Sequence, residues 1–306
     1  MLRYVVKRLL LAIPVLLGVT FVMFLIALIT PGDPAVILLG ERATPEELAT
    51  LREQLGLNDP WYQQYFDYVS KAARGDFGTS YRSRTPVFEE LMDRFPNTVQ
   101  LTVAAMAVAL LIGIPLGVLS AVKQNTLIDR FAIIFAMLGS SMPVFWIGLV
   151  LILIFSLRLN LLPASGKGGI DNLILPATAL GVGAAALIAR ITRSSMLEVL
   201  RNDYMRTAHA KGLRERVVVL RHGLGNALIP VVTVVGLQFG ALLGGAILTE
   251  TVFAWPGIGR HIVQAIGQRD YPTVRGGVLL VAMTFVIINV LLDVLYAYLD
   301  PRIKYS

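Results

Sequence analysis

Residues 99–122 read VQLTVAAMAVALLIGIPLGVLSAV, twenty-four positions without a charged side chain. A helix crossing a ~30 Å hydrocarbon layer needs about 20 apolar residues, and this run meets that length. It is too long and too uniformly apolar for a barrel strand, which alternates. Lipid offers no partner to open backbone N–H and C=O groups, so only helices and closed barrels span it. The run reads as a membrane-spanning helix.

Five more runs of the same character lie at residues 9–30, 131–155, 173–192, 229–252 and 277–299. The fold class is therefore all-α and polytopic, with six transmembrane helices. Of the 306 residues 56% are hydrophobic, whereas a soluble chain of this length needs a larger polar surface. Cys is absent, which excludes disulfides, thiolate metal sites and a cysteine nucleophile. The net charge is +7. In so apolar a chain a basic excess reports orientation, and no nucleic-acid partner is expected.

Placing the N-terminus in the cytoplasm gathers Arg3, Lys7 and Arg8, then Lys123 and Arg130, on that side. The inner loop adds Arg190, Arg193, Arg201, Arg206, Lys211, Arg214, Arg216 and Arg221, and the tail adds Arg302 and Lys304. That is fifteen of the 27 basic residues; seven of the others lie in the long loop 31–97, which counts for little in the rule. N-in, C-in topology follows. The basic start resembles a signal peptide, but the first apolar run is too long and no A-x-A site follows it, so it reads as a retained anchor.

Three regions are expected: an N-terminal segment with the first helix at 1–30, an outer loop subdomain at 31–97, and a five-helix core at 98–306. In the outer loop Thr44 is an N-cap candidate, with Pro45 at the first helical position. Glu46 and Glu47 then suit a helix N-terminus. Residues 60–73 form an amphipathic stretch with Trp61, Tyr62, Tyr65, Phe66 and Tyr68. It reads as a lid with interfacial aromatics or as a docking surface for an outside partner, and the two are compatible. The inner loop, about 193–228, predicts one helix capped by Ser194 or Ser195. That helix carries Met196, Leu197, Val199, Leu200, Tyr204 and Ala208 and is broken by Gly212. A second helix over 214–224 completes an elbow. Charge and amphipathicity alone also fit a basic helix lying on anionic lipid.

Arg206-Thr207-Ala208, then Gly212, then Leu228-Ile229-Pro230 together resemble the "EAA" loop of ABC importer permeases. More narrowly, the chain resembles the dipeptide, oligopeptide, glutathione and nickel permease group. The further blocks are Pro31-Gly32-Asp33-Pro34, Gly75-Asp76-Phe77-Gly78, Asn226-Ala227-Leu228-Ile229-Pro230, Trp255-Pro256-Gly257-Ile258-Gly259 and Asp300-Pro301-Arg302-Ile303. The general motif begins Glu-Ala-Ala where this chain has Arg206-Thr207-Ala208, and its Gly-to-Pro spacing is shorter. Both departures resemble the peptide branch.

The resemblance implies a non-catalytic permease subunit of the type I importer fold, forming half of a path for peptides or related small solutes. Its coupling helix would sit in a cleft of an ATPase subunit, through Arg206, Thr207, Ala208, Lys211, Gly212 and Leu213. It implies as partners a homologous second permease, two cytoplasmic ATPase subunits, an extracytoplasmic solute-binding protein and membrane lipid. The setting it implies is a bacterial or archaeal cytoplasmic membrane. The chain contains no G-x-x-x-x-G-K-[ST], so ATP and Mg are expected in the partner and no cofactor here. Gly166-Lys167-Gly168-Gly169 reads as a flexible outer turn. A stand-alone secondary transporter or channel, and a scaffold or receptor without solute flux, are the alternatives; no internal repeat supports the former.

Within the spans, Gly236, Gly240 and Gly244 recur every four residues with Gln238 among them, a smooth face for helix packing or translocation. Glu250 is expected near the outer mouth. Asn289 and Asp293 lie four apart on one face. Glu250 and Asp293 read as structural pairs ahead of substrate contacts, and both readings stay open. Pro115, Pro143 and Pro176 are candidate kinks, and Ser140-Ser141-Met142-Pro143 is a candidate break. His209, His222 and His261 lack a zinc-like carboxylate pattern, so neither a metal site nor a catalytic residue is expected.

Overall fold

The computed structural model describes residues 2–30, 32–40 and 42–299. Pro31, residues 300–303 and Lys304 lie outside the described residues, as do the side chains of Arg3, Lys7 and Asp293. The elements run α1 (Leu2–Ile29), α2 (Pro34–Leu39), α3 (Pro45–Gln54), α4 (Trp61–Ala72), α5 (Val87–Val122), α6 (Leu127–Ser141), α7 (Val144–Leu151), α8 (Asp171–Leu200), α9 (Asp203–Ala210), α10 (Glu215–Val217), α11 (Gly225–Val252), α12 (Ile258–Gly267) and α13 (Tyr271–Leu299). A π-helical turn, Ile152–Arg158, extends α7, and another, Val218–Leu224, joins α10 to α11.

Five helical stretches are long and apolar enough to cross a membrane: Arg8–Ile29, Val87–Val122, Asp171–Leu200, Glu215–Val252 and Tyr271–Leu292. The sixth is bent. Leu127–Ser141 and Val144–Arg158 meet at 109°, where the sequence predicted one run over 131–155 with a candidate break. Pro143 supplies the reason. Its ring disfavours the helical region for the residue before it, and Met142 is extended at φ −84°, ψ 134°.

Two compact units are present, Met1–Pro96 with Gly257–Val290, and Asn97–Pro256 with Leu291–Ser306. This division is not sequential, unlike the expected boundaries at 30 and 97. The chain rejoins the first unit after residue 256. In that unit Thr44 and Glu47 form a capping box: Glu47 N–H donates to Thr44 Oγ1 at 3.3 Å, and Thr44 N–H to Glu47 Oε2 at 2.8 Å. The Asp33 carboxylate caps α2 through Ala35 N–H at 2.9 Å and receives Arg52 Nε at 2.7 Å. α4 is divided by its 3.6-residue period. Tyr65 packs on Phe21 and Phe24 of α1 and donates to the Leu17 carbonyl at 3.1 Å, whereas Trp61, Tyr62 and Phe66 are exposed. Phe77 of the Gly-Asp-Phe-Gly block is buried in a cluster with Val87, Leu91, Ile258 and Ile262.

The second unit is built around α8. Its buried row Ala177, Leu180, Ala184, Ala185 and Ile188 packs with Leu101, Ala105, Met106 and Ala109 of α5 and Val231, Leu242 and Ala246 of α11. Glycines let the backbones of α5 and α8 meet. A Cβ at Gly113 would lie 2.8 Å from the Ala185 carbonyl, at Gly117 2.6 Å from that of Ala189, and at Gly181 2.5 Å from that of Ala105. Small residues serve such approaches in membrane helices, where lipid supplies no hydrophobic drive. α8 also runs further than 192. Ser194 and Ser195 therefore lie inside it and cap nothing, because the apolar face from Met196 to Leu200 prolongs the same helix.

Candidate functional site

The inner elbow is one short helix between two long ones. α8 stops at Leu200, and Asn202 in extended geometry begins α9. Asp203 and Arg206 lie three apart with a 3.6 Å exposed ion pair. The helix ends where sequence placed the break. Gly212 has φ +72°, and its N–H donates to the His209 carbonyl at 2.9 Å. Glycine takes this left-handed conformation without the steric cost of a Cβ. The segment beyond Gly212 is not a separate second helix. It enters the 38-residue stretch Glu215–Val252 directly.

α9 has an inward and an outward face. Met205 and Ala208 are buried against Val218, Val199 and Leu200, three apart and hence neighbours on one face. Arg206, Thr207, Lys211, Gly212 and Leu213 are exposed. Ala208 seats α9 on its own spans, while its neighbours in the motif face outward. Sequence grouped it with its neighbours because adjacency in a motif does not say which face a side chain takes. Arg201, Arg214, Arg216 and Arg221 are also exposed, so the outward surface is basic. His209 Nδ1 lies 3.4 Å from Glu215 Oε2 on this surface.

An ion pair between buried Asp129 and half-buried Arg193 ties the inner end of α8 to α6. Arg193 Nε and Nη2 reach Asp129 Oδ1 and Oδ2 at 2.7 and 2.9 Å. Ser120 Oγ of α5 donates to Oδ1 at 2.6 Å, and Asn125 N–H to Oδ2 at 2.9 Å. The Asp129 side chain is 3% exposed, and four donors satisfy it. Breaking such a pair from one side costs about 3–5 kcal/mol, because a charge stays buried alone. Sequence reasoning counted Arg193 as a loop cation and passed over Asp129. The only signal was an acidic residue at the edge of an apolar run, and its partner is 64 positions away.

Along α11 the expected glycine face divides. Gly236 and Gly240 are buried, Gln238 is half-buried and Gly244 is exposed with nothing within 4 Å of a Cβ. Helical residues advance about 100° each, so positions eight apart sit about 80° round the helix from each other. Glu250 is fully buried and accepts from Thr98 Oγ1 at 2.6 Å. Its carboxylate is enclosed by the chain rather than solvated. Near it Trp255 is buried and donates Nε1–H to the Asn97 carbonyl at 2.9 Å. The glycine-rich turn is tethered: Gly166 N–H donates to the Phe253 carbonyl at 2.8 Å and Lys167 Nζ to Asn97 Oδ1 at 2.6 Å. Asn289 bonds back to the Phe285 carbonyl of its own helix at 2.9 Å.

In the first unit His261 Nε2 lies 2.9 Å from Glu90 Oε2, at ion-pair distance but without the alignment of a hydrogen bond. Burial pushes the imidazole below its ordinary value and Arg94 adds to this, against the opposing pull of Glu90. Among the described residues no group of three His, Cys, Asp or Glu is placed to hold a metal.

The family described as "Binding-protein-dependent transport system inner membrane component" matches residues 113–305, and its N-terminal companion matches residues 1–102. The dipeptide transport system permease protein DppB of Alkalihalophilus pseudofirmus is 49% identical, with all of both chains covered. The DppB protein of Escherichia coli K12 is 45% identical, and its glutathione transport system permease protein GsiC 47% identical, again over the whole of both chains. Among solved structures, an inward-facing form of the MetNI methionine ABC transporter shares the fold at TM-score 0.57 and 22% identity, over 69% of this chain and 96% of that one. A second, an amino acid ABC transporter, gives TM-score 0.55 at 14% identity, over 69% and 94%.

Proposed function

Because the chain belongs to the family of binding-protein-dependent transport system inner membrane components, we propose that its cargo is a short peptide or a peptide-like solute such as glutathione, and that the inner elbow is its grip on an ATPase subunit. The protein is a multi-pass permease subunit of an ABC importer in the inner membrane. The names of its full-length relatives support the cargo. One observation carries the grip. α9 is held to its own spans by Met205 and Ala208, while Arg206, Thr207, Lys211, Gly212 and Leu213 stay exposed beside it.

A short rigid helix seated this way moves with the spans attached to it. α8 leads into it and α11 leads out, so force on the exposed face reaches both. Packed interfaces switch between discrete arrangements rather than deform continuously. The exposed cations suit an acidic rim on the partner. ATP and Mg belong to that partner, and a homologous second permease completes the path. A solute-binding protein delivers cargo from outside. Gln238 and Gly244 on α11 are the positions of this chain proposed for the path or for the second permease.

Arg206→Glu and Gly212→Trp, tested in the complex assembled with its ATPase and binding protein, are expected to abolish ATP-dependent uptake of labelled dipeptide. Arg206 is exposed, so its variant inserts and folds normally. Wild-type uptake and ATPase activity in both variants would overturn the grip. Uphill dipeptide accumulation by the isolated chain in liposomes would overturn the importer assignment of force to a partner.

A further inference from the structure

Three residues that line one cleft of the first unit each carry a buried polar atom. Tyr68 Oη, Tyr271 Oη and Arg275 Nε are shielded from solvent and have no hydrogen-bond partner among the described residues. All three residues line the same cavity of about 840 Å³, within the size range of small-molecule sites. The Arg275 guanidinium carbon stands 4.9 Å from the centre of the Tyr68 ring. A Cβ on Gly32 would lie 3.5 Å from Tyr271 Oη and 3.4 Å from Arg269 Nη1, so a second guanidinium reaches the same glycine.

Among the described residues, the carboxylates nearby are committed or outlying. Asp270 accepts from Ser80 Oγ at 2.6 Å, Tyr81 N–H at 3.0 Å and Thr273 Oγ1 at 2.8 Å. Asp33 holds Arg52, and Asp76 accepts from Gly78 N–H at 2.8 Å. Asp59 and Asp67 are exposed where they line the cleft. Leaving buried donors without an acceptor is costly. A guanidinium only donates and an ionised carboxylate only accepts, and their hydrogen bonds are charge-assisted. Burial holds the Tyr68 phenol above its ordinary value, against the opposing charge of Arg275, so it remains a donor at neutral pH.

We propose that this cleft binds the carboxylate end of a small solute, with Arg275 supplying the charge and side-chain rotation of Tyr68 and Tyr271 bringing their hydroxyls to it as flanking donors. Asp59 and Asp67 offer countercharge to the cationic end of a zwitterion. The proposal deepens the peptide reading above and rests on it for the identity of the solute. It makes the outer cleft a holding site on the permease itself.

The test uses the assembled transporter in lipid nanodiscs without its binding protein. Alanyl-alanine, its C-terminal amide and acetate are titrated by calorimetry. The free acid is expected to bind, and its amide at least about tenfold more weakly. Arg275→Gln is expected to weaken the acid by about tenfold or more, and Tyr68→Phe and Tyr271→Phe by several-fold each. Tyr62→Phe, on the exposed face of α4, changes nothing. Should Arg275→Gln fail to assemble, the two Phe variants decide, since each removes one oxygen and keeps the ring. Equal affinity for acid and amide, or unchanged binding in both Phe variants, overturns the site. So does loss of binding-protein capture alone, with peptide affinity intact. Dipeptide uptake by the complete system is scored separately. Uptake without Arg275-dependent binding overturns the cleft and keeps the cargo. No uptake, with Arg275-dependent acetate binding, overturns the cargo and keeps the cleft.

Discussion

Two glycine rows with the same four-residue spacing have opposite fates. Gly113 and Gly117 on α5 press against carbonyls of α8, where any Cβ would collide. On α11 the row begins buried at Gly236 and Gly240 but ends at Gly244 with open space around it. The first row is consumed within the chain, and beyond Gly117 Ser120 of α5 joins the Asp129–Arg193 pair of α6 and α8. The second row leaves only its Gly244 end uncovered by the described residues. The inner elbow divides in the same way, Met205 and Ala208 inward and the basic side chains outward. A small-residue pattern therefore marks a possible close approach but not the surface that will make it.

The contrast breaks most severely at the closed seam. Arg193→Ala leaves Asp129 buried without its cation and is expected to cost about 3–5 kcal/mol, read as a lowered unfolding midpoint of the detergent-purified complex. Adding Asp129→Ala should recover much of the loss, since the pair acts as a unit. A single variant as stable as wild type would remove the clasp from the account. Gly117→Val comes next, at about 1–3 kcal/mol from overpacking against the Ala189 carbonyl and Thr192, followed in the same assay.

Gly212→Ala tests the elbow. No atom crowds the position, so the cost is the left-handed backbone alone, about 1–2 kcal/mol, and it should appear as weaker coupling of ATP hydrolysis to uptake. Gly212→Asn should lose less, because Asn visits this conformation more readily. The smallest effect falls at Gly244→Ala, within about 0.5 kcal/mol on the stability of this chain. Recovery of the proposed second permease in co-purification then reports whether that open surface is used. Stability losses at Gly244 as large as those at Gly117 would erase the distinction between the rows.

Much of the architecture was legible without coordinates. Long uncharged runs announce spans because lipid forbids open backbone, and basic loops set their direction. Thr44, Pro45 and Glu47 announced their capping box because a helix start is local chemistry. Gly212 announced a helix end for the same reason, and Pro143 a break. The elbow's outward positions were legible through a motif. The inward turn of Ala208 was not, since α8 runs through Ser194 and Ser195 and resets the helical phase at Asn202. The burial of Glu250 was likewise hidden, because its partner Thr98 lies 152 residues away.

Local rules and solvent acted on the sequence directly: where helices start, stop and bend, and which stretches enter lipid. Only the tertiary structure decided which glycines meet a neighbouring backbone, which carboxylates are buried, and which donors share a cleft. Such outcomes depend on segments far apart in the chain being brought within a few ångströms, and no periodicity in one segment encodes the shape of the other.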